Sequence, residues 1–251
     1  MAKQRGILKV QGTLDELNFY KTRNGFKVRQ KGGVTAERMA TDPAFERTRE
    51  NQQEFARAGN AGKVLRGALR GLVSKSAGRT LGTRLLREMM RVVKADATSD
   101  RGQRNVLDGE LELLEGFDFN AVGKLSQTFF AEYTSSIDRA TGVLSISVPA
   151  FIPSQMMLPP VEATHYQLVS AGGSIDFSTG SNGIVTNESA VLPIGTDLSA
   201  ALNHNFDAGA ENPDPLFLVL GISFFQEVNG KYYTLKNGTF NALQIVKVSG
   251  V

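Results

Sequence analysis

The 251-residue chain is 41% hydrophobic, enough apolar material for one large or two modest domains with cores of their own. It has no cysteine, which excludes disulfides, thiolate metal sites and cysteine nucleophiles. Its net charge of +3 conceals a division: residues 1–105 hold 23 Lys and Arg against 10 Asp and Glu, a net of +13, while residues 106–251 hold 5 against 15, a net of −10.

The first third of the chain reads as strands and then helices. Met1 to Arg5 is basic, but the following Ile7–Val10 run is too short for a secretory signal, so cytoplasmic synthesis without a signal peptide is expected, with the final location open. Ile7, Leu8 and Val10 begin a first strand; Leu17, Phe19 and Tyr20 lie in a second; Phe26 and Val28 lie in a third. Asn24-Gly25 joins the last two as a tight turn, because both residues tolerate positive φ. Lys21, Lys27, Arg29 and Lys31 alternate with these apolar positions, predicting a ribbon with one apolar and one basic face. Thr41-Asp42-Pro43 starts a helix on which Phe45, Thr48, Gln52 and Phe55 share a face. Asn60 is expected to cap a second helix carrying Val64, Leu65, Ala68, Leu69, Leu72 and Val73, and Leu81, Leu85, Leu86, Met89 and Val93 mark a third. Ser99-Asp100 is expected to cap a further helical segment with Leu107, Leu111 and Leu114. Small residues are dense through Gly59, Gly62, Gly67, Gly71, Ala77 and Gly82, which suggests close approach between helix backbones.

From Gly116 the texture turns to short strands and loops. Leu144, Ile146 and Val148 alternate with serines as a half-buried strand, and Tyr166, Leu168 and Val169 suggest another. Gly172-Gly173 and residues 178–183 read as loops. Leu216–Val228 is long and apolar enough to run mid-sheet, yet its strongly apolar stretch, Leu216–Phe225, is about half of what a membrane-spanning helix needs. Asn229-Gly230 and Asn237-Gly238 predict two hairpins in a closing meander. The expected fold class is α+β: a basic β-ribbon over 1–33, a basic helical module over 34–115 and an acidic antiparallel β-sandwich over 116–251.

Catalytic motifs are missing. His165 and His204 are far apart and form no metal-spaced pair, and His204 reads as part of a polar loop. Asp207, Glu211 and Asp214, interspersed with Asn203, Asn205 and Asn212, match no calcium loop. Gly59-Asn60-Ala61-Gly62-Lys63-Val64 fails as a phosphate loop, since the first glycine is too close to the lysine and Val64 replaces the required hydroxyl. No catalytic residue, cofactor, metal or small-molecule substrate is therefore expected. The one constellation is the arginine-rich basic half, where the forked guanidinium suits carboxylate or phosphate.

Lys3–Thr13, Phe19-Tyr20-Lys21, Lys31-Gly32-Gly33, Asp42–Asn51, Phe151-Ile152-Pro153, Ala163–Tyr166, Leu220–Gln226 and Asn241-Ala242-Leu243 together resemble an uncharacterised family of this length in Bacteroidota genomes, with no assigned activity. The resemblance implies one continuous protein and carries over no site.

The charge division makes a non-enzymatic, self-assembling structural protein the leading expectation, the basic half of one copy meeting the acidic β domain of another in a ring, filament or shell. Arg47, Arg49, Arg66, Arg70 and Arg84 are the candidate basic contacts, with Asp207, Glu211 and Asp214 opposite. The alternative is a sequence-independent nucleic-acid-binding or packaging protein that uses the helical half. A glycan-binding sandwich is disfavoured by the absence of Trp.

Overall fold

The computed structural model describes residues 2–30, 32–76 and 78–251, with the side chains of Lys236 and Asn237 outside the description. Lys31, expected on the basic face, and Ala77, counted among the small residues, fall outside it as well. The chain is α+β and divides into two compact units, Met1–Arg49 and Glu50–Val251. This differs from the expected boundaries near 33 and 115, because the helices after residue 50 share a core with the strands that follow.

The first unit is an antiparallel sheet of β1 (Ala2–Lys3), β2 (Gly12–Leu14), β3 (Leu17–Thr22) and β4 (Gly25–Gln30) in the order β1-β4-β3-β2. A short helix, α1 (Ala36–Thr41), and a 3-10 turn, Pro43–Phe45, follow. Gly25, at φ +100°, makes the expected β3–β4 turn. The pairings Leu14↔Leu17, Leu17↔Gln30, Phe19↔Val28 and Lys21↔Phe26 put the apolar residues on one face; Tyr20↔Lys27 and Asn18↔Arg29 form the other. Lys21 is therefore on the apolar face, its ammonium 5.7 Å from the Phe26 ring centre, because it shares the parity of Leu17 and Phe19. Ile7–Val10 is no strand but a loop between β1 and β2. Asp42 caps the 3-10 turn as expected, accepting from Ala44 N at 2.9 Å.

The second unit is built of layers. Most of α2 (Glu46–Ala68), α3 (Arg70–Ser76), α4 (Leu81–Ala95) and a 3-10 turn, Leu111–Leu114, form the first. Shorter helices α5 (Leu125–Thr128) and α6 (Pro153–Met156) lie in the connections. Strands β5 (Thr134–Asp138), β6 (Val143–Val148) and β10 (Leu202–Asp207) make a small antiparallel sheet in the order β10-β6-β5. Strands β7 (His165–Ser174), β8 (Val185–Glu188), β9 (Leu192–Pro193), β11 (Leu216–Val228), β12 (Lys231–Thr234) and β13 (Ala242–Ser249) make the central sheet.

The first nine residues of β11 are all buried. Phe217 and Val219 pack with Leu65, Leu85 and Met89 of the helices; Leu218, Leu220, Ile222 and Phe224 pack with Leu144, Ile146 and Phe206 of the small sheet. At about 1.5–3 kcal/mol per fully buried large apolar side chain, this strand outweighs any surface ion pair. Its neighbours are β7 on one edge and β13 followed by β12 on the other. The expected meander over Asn237-Gly238 is corrected here: β12 and β13 both pair with β11, and the intervening Leu235–Gly238 is a 3-10 turn. At Gly238, φ +80°, a Cβ would collide with the Lys75 carbonyl oxygen. Asn229-Gly230 does turn, with φ of 52° and 73°.

Other expectations shift for tertiary reasons. Asn60 caps nothing: α2 runs through it because Ala58, Ala61, Gly62 and Leu65 are buried. Gly67 and Gly71 face open space, so they mediate no close helix approach; the helix breaks at Leu69 between them. Phe55 is exposed. Gly172 and Gly173 lie within β7, where a Cβ on Gly172 would meet the Phe206 ring at 2.6 Å. The segment after Ser99 is a loop followed by only one 3-10 turn, because buried Asp96 organises it. Asp96 accepts from Thr98 N, Thr98 Oγ1 and Ser99 N at 2.9 Å and from Asn105 N at 3.1 Å. Burial pushes its carboxyl upward, but these donors outweigh it and hold the pKa well below the usual carboxylate range.

Replacing Asp96 strands several of those donors. Asp96→Ala is expected to cost about 3 kcal/mol, read as a lower urea midpoint with an unchanged m-value.

Candidate assembly interface

The predicted contact residues do not converge on one patch. Arg47 is exposed in the first turn of α2. Arg49 is half-buried and donates through Nη1 to the Met39 and Asp42 carbonyls, both at 2.9 Å, stapling the elbow after α1. Arg66 is exposed near the end of α2, its Nε donating to the Gly62 carbonyl at 3.1 Å. Arg70 is exposed at the start of α3. Arg84 is half-buried on α4: Nη2 donates to the Asp118 carbonyl at 2.6 Å, and the guanidinium lies 5.1 Å from the Phe117 ring centre. Arg84 thus ties the helices to the strand-like segment that extends the β13 edge, where Gly116 N and Phe119 N donate to Ile245 and Leu243 carbonyls at 2.8 Å.

The acidic candidates sit around the β5–β6 hairpin. Asp207 is exposed at the end of β10, its Oδ1 accepting from Gly209 N at 2.8 Å. Glu211 is exposed at φ +49°, and its N–H donates to the Arg139 carbonyl at 2.9 Å. Asp214 is half-exposed on the approach to β11. Arg139 holds this loop in place and was not foreseen. Its guanidinium donates to the carbonyls of Asn212 at 2.6 Å, Asp214 at 3.3 Å and Ser249 at 2.9 Å, and also to that of Gly250. The signal was available: Arg139 is the sole arginine after residue 105, isolated in an acidic stretch.

Electrostatically, these arginines divide into two kinds. Arg49, Arg57, Arg84 and Arg139 are bound by neutral carbonyls, so their charge is not cancelled by those bonds. Others meet carboxylates: Arg87 and Arg91 with Glu88 at 3.1 and 2.6 Å, and Arg101 with Glu50 at 3.3 Å. Glu88 is pushed upward by burial, but the two guanidinium groups win and hold its pKa below the usual range.

The helical layer and the small sheet cover opposite faces of the central sheet. Outward from the helical side point Lys63, Arg66, Arg70, Arg87, Arg91 and Lys94, all exposed. The outer face of the small sheet presents Thr134, Ser136, Asp138, Val143, Ser145, Ser147, Asn203, Asn205 and Asp207, with no basic residue among them. The two outer surfaces therefore carry opposite sign.

No protein family and no curated protein matches the chain. Among solved structures it is similar to one described as "pH-induced modulation of Streptococcus parasanguinis adhesion by Fap1 fimbriae", at 13% identity over 45% of this chain and 78% of that one. The TM-score is 0.24, a superposition too loose to bear on fold or function.

Neither histidine belongs to a metal cluster: among the described residues no group of three His, Asp or Glu side chains is placed to hold an ion. His165 lies 3.5 Å from a Glu227 oxygen, with its ring 4.8 Å from that of Tyr232. His204 is not in a loop but in β10, half-buried, its Nδ1 2.5 Å from Ser170 Oγ of β7. Sequence reasoning missed this because the contact joins two sheets. Burial pushes the His204 pKa below its ordinary value near 6.5.

The unfolded chain then binds a proton at His204 before the folded one does. Stability is expected to be full above about pH 6.5 and to fall as pH drops through the window below it. His204→Gln should remove that part of the slope in urea titrations between about pH 7.5 and about pH 5.5.

Proposed function

We propose that the protein is a non-enzymatic structural protein that self-assembles, the basic face of one copy contacting the acidic β face of the next. The observation that carries this is the opposite sign of the two outer layers of the Glu50–Val251 unit, with Arg66 and Arg70 exposed on one and Asp138 and Asp207 exposed on the other. Because the contact surfaces differ, the interaction is heterologous, and repetition gives a ring, an open filament or a shell. Exposed pairs contribute little singly, so the charges set register and on-rate while apolar contact supplies affinity.

A second reading rests on the same row of exposed cations. Lys63, Arg66 and Arg70 are exposed close together in sequence across the α2–α3 junction, and a cluster of cations favours sequence-independent nucleic-acid binding over glycan binding.

Sedimentation of the full chain separates these. Assembly is expected at about 50 mM salt and should weaken at about 500 mM as screening shortens. Arg66→Glu combined with Arg70→Glu should weaken association at least about tenfold at low salt, or about 1.4 kcal/mol. A monomer at every concentration in low salt, together with tight binding of random DNA lost in the same variant, would replace the first reading by the second.

A further inference from the structure

The helices cover only part of their face of the central sheet. Phe217 and Val219 pack beneath them, and Ser223 and Phe225 continue the same side of β11 by its two-residue alternation. Register sets Gln167 of β7 opposite Ser223, and Thr234 of β12 opposite Phe225. Helix α3 ends at Ser76, so the covering layer stops short of these positions. What remains is a cavity of about 450 Å³ within the Glu50–Val251 unit. Those four sheet residues line it, with Ser74 and Lys75 from the end of α3 and with Val191, Gly238 and Asn241.

The walls are held by their own bonds. Asn241 is 3% exposed; its Oδ1 accepts from Phe224 N at 3.0 Å and its Nδ2 donates to the Lys75 carbonyl at 3.0 Å, joining the end of α3 to β11. The Lys75 ammonium donates to Glu188 at 2.8 Å. No carboxylate lines the cavity and its one cation is already paired, so the site suits an uncharged ligand.

Two groups are left open. Ser223 is 4% exposed, and its hydroxyl has no hydrogen-bond partner among the described residues. Leaving a buried hydroxyl unpaired is unfavourable, and a ligand that pairs it recovers that loss. Gln167 Nε2 donates to the Ser189 carbonyl at 2.8 Å, which leaves Oε1 without a partner among the described residues. The hydroxyl can donate, whereas the amide oxygen can only accept. Facing strands therefore set a donor beside an acceptor, the complement of a carbonyl next to an N–H. Phe225 and Val191 add apolar wall, and the volume lies within the range of about 300–1,000 Å³ that encloses small ligands.

We infer that this cavity binds a small uncharged ring compound with a carboxamide-like edge, its carbonyl accepting from Ser223 Oγ and its N–H donating to Gln167 Oε1. The site goes beyond the self-assembly reading and does not depend on it.

The test titrates the full chain with benzamide and follows backbone amide signals by NMR. Saturable shifts are expected at Gln167, Ser223 and Asn241, with none from benzoate at the same concentrations and weaker ones from toluene. Ser223→Ala removes only the hydroxyl and should weaken benzamide binding about fivefold, with unchanged far-UV circular dichroism. Val191→Trp, at a half-buried position of the wall, should abolish binding by filling the space and gives a second measure if the first variant misfolds. If benzamide causes no saturable shift up to its solubility, there is no such site. If benzoate or toluene binds as well as benzamide, or Ser223→Ala binds it unchanged, the carboxamide assignment is overturned.

Discussion

The structure of the larger unit follows from the burial of one strand on both sides. From Leu216 to Phe224 every residue of β11 is buried, so each face must be covered by a separate layer. Helices α2 to α4 supply one layer and the β5–β6–β10 sheet the other. The glycines on and beside β11 fit this constraint. A Cβ at Gly221 would lie 2.6 Å from the Ala242 carbonyl, and one at Gly172 would drive into Phe206, so strand and layer approach as closely as backbone allows.

A layered unit with a doubly buried centre exposes two outer surfaces, and here those surfaces differ in sign. The basic surface is made by exposed side chains such as Lys63, Arg66 and Arg70, while the half-buried guanidinium groups of Arg57, Arg84 and Arg139 are held by carbonyls. Arg57 donates to the Gly102 and Arg104 carbonyls at 2.6 and 3.1 Å, tying the loop after α4 to α2, while Glu54 accepts from Gly102 N at 2.8 Å. Arginine suits this role because five donors on one planar fork can hold several carbonyls at once. The same bonds that stabilise the loops leave the net charge available to the surroundings.

The N-terminal unit reverses this balance. It has regular strands and satisfied turns but no buried side chain among its described residues, and its ordering comes from backbone ladders and from polar anchors such as Gln4 and Arg49. Hydrogen bonds of this kind contribute about 1 kcal/mol each and do not replace a core.

Much of this is visible in the residues themselves. The bounds of β11, the alternation of β6, the turns at Asn24-Gly25 and Asn229-Gly230 and the cap at Asp42 are set by periodicity and local dihedral preference, which a single segment carries. The α+β class and the segregation of charge are equally plain. Ile7–Val10 reads as a strand but is a loop because the Gln4 amide competes for its backbone, and His204 reads as loop but lies in a strand whose partner across the sheets, Ser170, is 34 positions away. The role of each arginine lies furthest from local reading: Arg57 reaches across 45 positions and Arg139 across 110 to find its carbonyls. Sequence alone determined which segments are apolar, which turn and where charge accumulates, since those follow from neighbouring residues. The tertiary structure decided which charges are held inside by carbonyls and which face outward, because that depends on backbone brought together only when the layers close.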